Sequence, residues 1–194
     1  MGYTTEFTGS FAVTPALKPE HSAYLHNFSH TRRMLRDASI AERLSDPVRI
    51  AAQLPIGGGG AYFVGGTGLG GEYEDQSVID PNSPPPGQPE LWCQWVPNED
   101  GTAIEWDKDE KFYKYVEWLE YLIVHFLGPW GYTLDGKVAW SGEDINDHGQ
   151  IYVCNNRVEA VPETGNSTPG PAVKAGEGSS ESRRPVRADS RPSR

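Results

Sequence analysis

The chain has few of the features that mark secreted or membrane-spanning proteins. It contains two cysteines, Cys93 and Cys154, which are too few for a disulfide framework. It has no apolar run near the roughly 18–20 residues needed to cross a bilayer, and its N-terminus lacks a charged-then-apolar signal segment. These absences predict a soluble cytoplasmic protein with reduced thiols and no membrane association.

Positive charge is scarce in the middle of the chain. Residues 72–147 contain four Lys or Arg against seventeen Asp or Glu, a net charge of −13, whereas residues 1–71 carry +1. A field this negative repels phosphates and argues against general nucleic-acid binding, but it would attract a basic partner. A solvated acidic face explains these acids better than a metal site does, so we expect no metal and no cofactor.

Large apolar residues are almost absent after position 161. That stretch consists mainly of Pro, Gly, Ser, Glu and Arg. Such a composition cannot bury enough surface to offset the entropy of ordering. The sequence therefore predicts a single domain at 1–161 and a disordered tail at 162–194, and it leaves the oligomeric state open.

Hydrophobic spacing within 1–161 predicts both strands and helices. Their order indicates an α+β fold, an antiparallel sheet with two main helices on one face. A ferredoxin-like arrangement with extra C-terminal strands fits this order best. The predicted elements are a strand at 3–13 with a bulge at Gly9, helices at 19–35, 46–53 and 107–127, and hairpins at 91–106, at 132–140 around Asp135-Gly136 and at 150–161 around Asn155-Asn156.

Residues 55–90 form a long segment rich in glycine and proline. A loop of this length in a domain is usually functional or disordered. Because Tyr62, Phe63, Tyr73 and other apolar residues are scattered through it, we expect an ordered loop packed over the domain. One short strand is predicted within it, at 61–64.

All six tryptophans lie between positions 92 and 140. Trp92 and Trp95 have odd spacing, so in a strand they face opposite sides, and one of them should lie beneath the long loop. An aromatic side chain under a Gly/Pro-rich loop with acidic neighbours is typical of a site for a peptide or a small polar ligand. The predicted binding residues are Arg32, Arg33, Tyr73, Asp75, Asp80, Trp92, Gln94 and Trp95.

Arg32 and Arg33 fall at the end of the first predicted helix. Cations there complement the helix dipole, which is the simplest explanation for them. Alternatively they pair with the loop acids, which have no cations close to them in sequence, or they hold an external anion. The loop acids are Glu72, Glu74, Asp75 and Asp80.

The sequence shows no catalytic constellation, and no Gly-x-Ser-x-Gly elbow is present. The leading hypothesis is a non-catalytic binding protein that holds a protein or small-ligand partner with the 62–95 loop and the aromatics of the 92–106 hairpin. The alternative is an enzyme acting on a nucleotide or another phosphorylated small molecule. In that case Arg32 and Arg33 would hold the anion, and Asp75 or Asp80 would act as a base or Mg²⁺ ligand.

Six short segments together resemble one uncharacterised family of small soluble proteins from bacteria and their phages or prophages. The resemblance spans about residues 2–158. It implies no known activity, although it would be consistent with an accessory protein of a mobile element. The segments are residues 2–4, 31–34, 62–66, 88–95, 110–113 and 129–132.

Overall fold

A six-stranded antiparallel sheet organises the fold. The structure is a computed structural model and describes residues 2–65 and 75–163. The strands of the main sheet lie in the order β4-β5-β1-β6-β7-β8, and β2 pairs with β3 in a separate two-stranded sheet. The strands are β1 Thr5–Thr14, β2 Leu35–Arg36, β3 Val78–Asp80, β4 Trp95–Pro97, β5 Ala103–Trp106, β6 Thr133–Gly142, β7 His148–Cys154 and β8 Arg157–Pro162. The helices are α1 Pro19–Ser29, α2 Ala38–Ala41, α3 Pro47–Ala51 and α4 Tyr115–Leu122, with a 3₁₀ turn at Gly58–Gly60 and a π-helical turn at Ile123–Leu127.

One face of the main sheet carries the core. In β1, Phe7, Phe11 and Val13 are buried while the residues between them are exposed. Residues of β6 and β7 alternate in the same way, and their buried side chains join one hydrophobic cluster with those of α1 and α4. The α+β class with helices against one face of an antiparallel sheet is therefore confirmed, whereas the ferredoxin-like refinement is not.

The helix ends differ from the predictions for identifiable reasons. The first helix stops at Ser29 rather than at 35, because Thr31 Oγ1 donates to the carbonyl of Asn27 and the chain then becomes extended. The long helix begins at Tyr115 rather than at 107. The Asp107 carboxylate accepts a bond from Asp109 N at 2.9 Å instead of forming a capping box. Three lysines between these points, Lys108, Lys111 and Lys114, have positive φ.

The predicted turn at Asp135-Gly136 is wrong. Both residues lie inside β6, which pairs without interruption with β1 from Thr133 to Gly142. Gly136 has φ +138°, and a Cβ there would lie 3.0 Å from Ser10 O. Glycine is therefore needed here because the two strands approach closely, and not because the chain turns. The same continuous register rules out the expected bulge at Gly9.

Other local predictions are confirmed. Asn155 and Asn156 both have positive φ and join β7 to β8 in a two-residue turn. The 91–106 hairpin exists as β4 and β5 with shorter strands than expected. Asp46 caps α3 by accepting a bond from Arg49 N.

The predicted strand at 61–64 is absent, because residues 61 and 62 form a turn after the 3₁₀ turn and residues 63 and 64 have no regular secondary structure. β8 continues to Pro162, and the rest of the predicted tail, 164–194, lies outside the described residues, as does the stretch 66–74. Within the described ranges, no helix combines the length and apolar character that a bilayer span requires.

Replacing Leu119 with Ala should lower the free energy of unfolding by about 2–5 kcal/mol, because its side chain is fully buried in the core cluster and its removal leaves a cavity. Denaturant unfolding of the full chain would measure this. The neighbouring Glu120 is exposed, and Glu120→Ala serves as the matched control, with an expected change within about 0.5 kcal/mol. Equal, small effects of both substitutions would contradict the packing described here.

Candidate functional site

The segment between α1 and α2 runs alongside the second half of the long loop. Backbone bonds connect the two stretches at three points: Arg33 N to Leu91 O at 2.8 Å, Leu35 N to Ser83 O at 2.8 Å and Asp37 N to Ser77 O at 2.7 Å. β2 and β3 add a short ladder between them. The loop residues from 75 to 91 are therefore packed over the domain, as the sequence predicted for the loop as a whole.

Arg33 lies in the interior of the protein, with 2% of its surface exposed. Its Nη2 donates to the carbonyls of Ala61 and Phe63, both at 2.9 Å, and its Nε donates to Gln88 Oε1 at 3.3 Å. The guanidinium lies over the ring of Phe28, 4.2 Å from its centroid. None of these partners is a carboxylate, and burial lowers the pKa of Arg33. Carbonyl dipoles and an aromatic face stabilise the charge. Through these bonds Arg33 connects the 61–63 segment, near the start of the loop, with Gln88 near its end.

Arg36, a third arginine in this segment, pairs with the loop acid Asp75. Arg36 Nη1 donates to the Asp75 carboxylate and, at 2.8 Å, to Ser77 Oγ. Arg32 donates to Pro81 O at 2.9 Å and to Asn82 Oδ1 at 3.2 Å. Both Arg32 and Arg33 therefore bind the loop, and the Arg33 contacts within the described residues are to carbonyl oxygens and Gln88 rather than to the loop acids.

The remaining predicted site residues serve mainly as structure. Asp80 accepts bonds from Asn82 N and Ser83 Oγ within its own turn. Trp95 is 1% exposed, and its Nε1 donates to Tyr115 O, so it belongs to the core and not to a binding surface. Trp92 is half-buried and precedes β4, so strand alternation does not apply to it.

Gln94 and Tyr73 complete the predicted set. Gln94 is buried, with its Nε2 donating to Glu110 O at 2.9 Å and its Oε1 accepting from Trp106 Nε1 at 3.2 Å. Tyr73 lies outside the described residues, as do Glu72 and Glu74. Asp75 and Asp80 thus belong to the loop, and Arg32 and Arg33 form hydrogen bonds with it. Gln94 and Trp95 lie in the 91–106 hairpin.

A groove lies where the loop meets α4. Gln88 turns its side chain inward, and its Nε2 donates to Ala61 O at 2.6 Å and to Tyr121 Oη at 3.1 Å. Its neighbours Gly87 and Pro89 then line one side of a groove of about 430 Å³. The other side is formed by α4 and the π-helical turn, with Tyr121, Val124 and His125 among the lining residues.

His125 is held on two sides. Its ring stacks on Tyr121 with 4.1 Å between centroids, and its Nδ1 lies 2.8 Å from Tyr62 Oη. It belongs to the π-helical turn, in which Gly128 N donates to Ile123 O five residues back. Such turns are rare and recur at functional sites. With Nδ1 accepting the Tyr62 proton, Nε2 carries the N–H that a ligand oxygen would meet.

The aromatic groups of the groove are neutral near pH 7, and Lys114, Glu117 and Glu120 also line it. Burial lowers the pKa of His125, and burial raises the pKa of Tyr62. The pKa of Tyr121 rises to about 12, chiefly through burial, with the bond from Gln88 opposing the change. Glu117 is paired with Lys114 at 3.1 Å, whereas Glu120 has no ion-pair partner among residues 2–65 and 75–163.

Sequence reasoning missed the groove residues, although one signal was available. Tyr121 and His125 both lie within the helix predicted at 107–127. Their four-residue spacing puts them on one helix face, where side chains meet. The contact of Tyr62 with His125 joins residues 63 positions apart, and no local pattern indicates such a contact.

Comparison with known proteins identifies no relative. No protein-family model matches the chain, and searches of curated proteins and of solved structures give no match either. Among the residues that the structure describes, no three His, Cys, Asp or Glu side chains are grouped as metal ligands would be. The geometry of the groove therefore carries the functional argument.

A double-mutant cycle of Arg36→Met and Asp75→Asn should give a coupling of about 1–3 kcal/mol in the free energy of unfolding, because the pair is largely shielded from water. Burial raises the Asp75 pKa, but bonds from Ser77 and Arg36 outweigh it and hold the pKa below the ordinary 3.8. The coupling is therefore present above about pH 4 and is lost as the pH falls through the folded-state pKa.

The exposed pair Lys114 and Glu117 provides the control cycle, with an expected coupling of about 0.3–0.5 kcal/mol. Urea unfolding at pH 7 and at pH 3 would measure both cycles. Similar couplings for the two pairs, or a coupling for Arg36 and Asp75 that does not change with pH, would contradict the assignment.

Proposed function

We propose that the protein is a non-catalytic binding protein. It holds a segment of a partner protein, or a small polar ligand, in the groove between Gly87, Pro89 and the Tyr121–His125 pair. The observation that carries this proposal is the stacked Tyr121–His125 pair, fixed by Tyr62 and Gln88 before any ligand arrives. A preformed aromatic floor lowers the entropy lost on binding.

The groove offers three kinds of contact. The aromatic floor and Val124, which is 65% exposed, provide apolar contact. His125 Nε2–H can donate to a ligand carbonyl, and Glu120 favours positive charge on the partner. Among the residues that the structure describes, the groove lining contains no serine, threonine or cysteine that could act as a nucleophile. This combination supports recognition of a peptide-like, basic ligand.

Within residues 2–65 and 75–163, none of the contacts described above favours the alternative of an enzyme that binds a phosphorylated molecule. Arg33 is enclosed, and Arg32 donates to the loop backbone and Asn82. The carboxylates of Asp75 and Asp80 already accept bonds from Ser77, Arg36, Asn82 and Ser83. The similarity to an uncharacterised phage-associated family, and with it the accessory role in a mobile element, stays a prediction.

A random dodecapeptide library selected on the full chain should yield peptides enriched in basic and aromatic residues. Val124→Arg places a bulky cation at the exposed edge of the groove, and it should weaken the selected peptides at least about tenfold by adding steric and charge repulsion. Glu120→Gln should weaken them less. Fluorescence anisotropy of labelled peptides would measure each affinity.

Glu159→Gln is the matched control, because Glu159 is an exposed acid on β8. Its affinity for the peptides should equal that of the wild type. The proposal fails if no peptide is enriched, or if Val124→Arg and Glu159→Gln bind the selected peptides equally.

A further inference from the structure

A second cleft lies between the N-terminal end of α1, the end of α3 and Trp130. Its volume is about 420 Å³, which is within the range of small-molecule sites. It shares no lining residue with the Tyr121–His125 groove. Lys18, Glu20 and His21 line it from α1.

His21 is the buried polar side chain of this cleft, with 9% of its surface exposed. Its ring stacks on Trp130, with 3.9 Å between centroids and 4° between the ring planes. Its Nδ1 lies 2.8 Å from Tyr132 Oη, which also accepts a bond from Lys18 N at 3.0 Å. Contacts within the protein therefore fix the position of the imidazole.

The Tyr132 hydroxyl determines which nitrogen of His21 carries the proton. Tyr132 is buried, and within the described ranges His21 Nδ1 is the one acceptor that its hydroxyl proton meets. Nδ1 therefore accepts that proton, and Nε2 carries the N–H of the neutral ring. Burial lowers the pKa of His21, which keeps the ring neutral near pH 7. No described residue accepts a bond from Nε2, so a buried side chain presents an unpaired donor to the cleft.

The N-terminal end of α1 adds two further groups that attract an anion. α1 has 11 residues, and Lys18, at the capping position, makes no side-chain bond to the helix end. The amide of Glu20 donates to no acceptor in the described chain, whereas the amides of His21 and Ser22 bond to Lys18 O. The Lys18 ammonium has no ion-pair partner among residues 2–65 and 75–163. Together with His21 Nε2–H, these groups suit a carboxylate at the helix N-terminus.

Acceptors line the same cleft. The Glu20 carboxylate forms no ion pair in the part of the chain that the structure describes. Ala51 and Ala52 line the cleft at the end of α3, and their carbonyls accept no hydrogen bond from described residues. A plain anion would be repelled by Glu20, whereas a zwitterion pairs with both charges. The lining therefore favours a ligand that carries a carboxylate and an ammonium group.

We propose that this cleft binds a free α-amino acid. The carboxylate of the ligand accepts bonds from His21 Nε2–H and the Glu20 amide and pairs with Lys18, and its ammonium group pairs with the Glu20 carboxylate. The site does not depend on the function proposed for the Tyr121–His125 groove. It adds a small-molecule ligand to a protein whose groove takes a peptide-like partner.

NMR titration of the full chain with each of the common L-amino acids tests the proposal. The signals to follow are those of the His21 Nε2–H and the Trp130 indole N–H. At least one amino acid should bind saturably. Its carboxamide derivative lacks the carboxylate and should bind at least about tenfold more weakly, because it cannot form the charge-assisted bonds. Its N-acetyl derivative lacks the ammonium group and should also bind more weakly.

Two substitutions separate the roles of the charges. Lys18→Met should weaken the amino acid at least about tenfold, whereas Lys137→Met, which changes an exposed lysine on β6, should bind it as the wild type does. Glu20→Gln should weaken the amino acid but strengthen its N-acetyl derivative, because the same carboxylate attracts the ammonium group and repels the acetylated anion. A general loss of structure would weaken both ligands.

The side chains of Lys18 and Glu20 make no hydrogen bond or ion pair within the described ranges, so both variants should fold as the wild type does. The proposal is overturned if no amino acid binds saturably, if the carboxamide binds as tightly as the amino acid, or if Lys18→Met and Lys137→Met bind equally. Val124→Arg should leave the affinity unchanged. Loss of binding in that variant would assign the amino acid to the groove and would also overturn the proposal.

Discussion

A buried arginine, with no carboxylate partner in the described part of the chain, is the constraint on which the loop and the groove depend. Taking a guanidinium out of water is costly unless its N–H groups find acceptors. Arg33 Nη2 and Nε find them in two backbone carbonyls and Gln88, whereas its buried Nη1 has no hydrogen-bond partner among the described residues. The observed conformation of the 61–63 segment and of the loop near Gln88 supplies all three acceptors at once. The desolvation cost of Arg33 therefore selects that conformation and disfavours alternatives.

The consequences extend from the interior to the surface. Gln88 bonds inward to Arg33 and Tyr121, so Gly87 and Pro89 are left to line the groove. Tyr121 in turn supports His125, which Tyr62 holds from the other side, one residue from the carbonyl that Arg33 binds. The arrangement that we propose for ligand binding is thus fixed by contacts within the protein, and no ligand is needed to form it.

The predictable part of the fold is what local pattern and apolar spacing determine. The Asn155-Asn156 turn and the short helix that begins after Asp46 follow from short stretches of sequence and are confirmed. Asp135-Gly136 resembles a hairpin turn, yet the glycine serves close packing of β6 on β1, a tertiary effect. Arg32, Arg33 and Arg36 look alike in sequence. Only the folded structure shows that Arg33 is buried and that Arg36 pairs with Asp75. The groove pairs residues far apart in the chain, so the site itself could not be predicted.

Hydrogen exchange in the variant Arg33→Met tests the central claim most directly. The amides of Tyr62, Phe63 and Gln88 each donate to a backbone carbonyl of the loop segments that Arg33 holds. The account predicts that Arg33→Met, and more mildly Arg33→Lys, accelerates exchange at these three amides while the paired amides of β1 and β6 stay protected. Arg32→Met should leave the three amides unchanged. Exchange in Arg33→Met as slow as in the wild type, in a protein whose sheet remains protected, would contradict the claim that the buried arginine holds the loop and the groove.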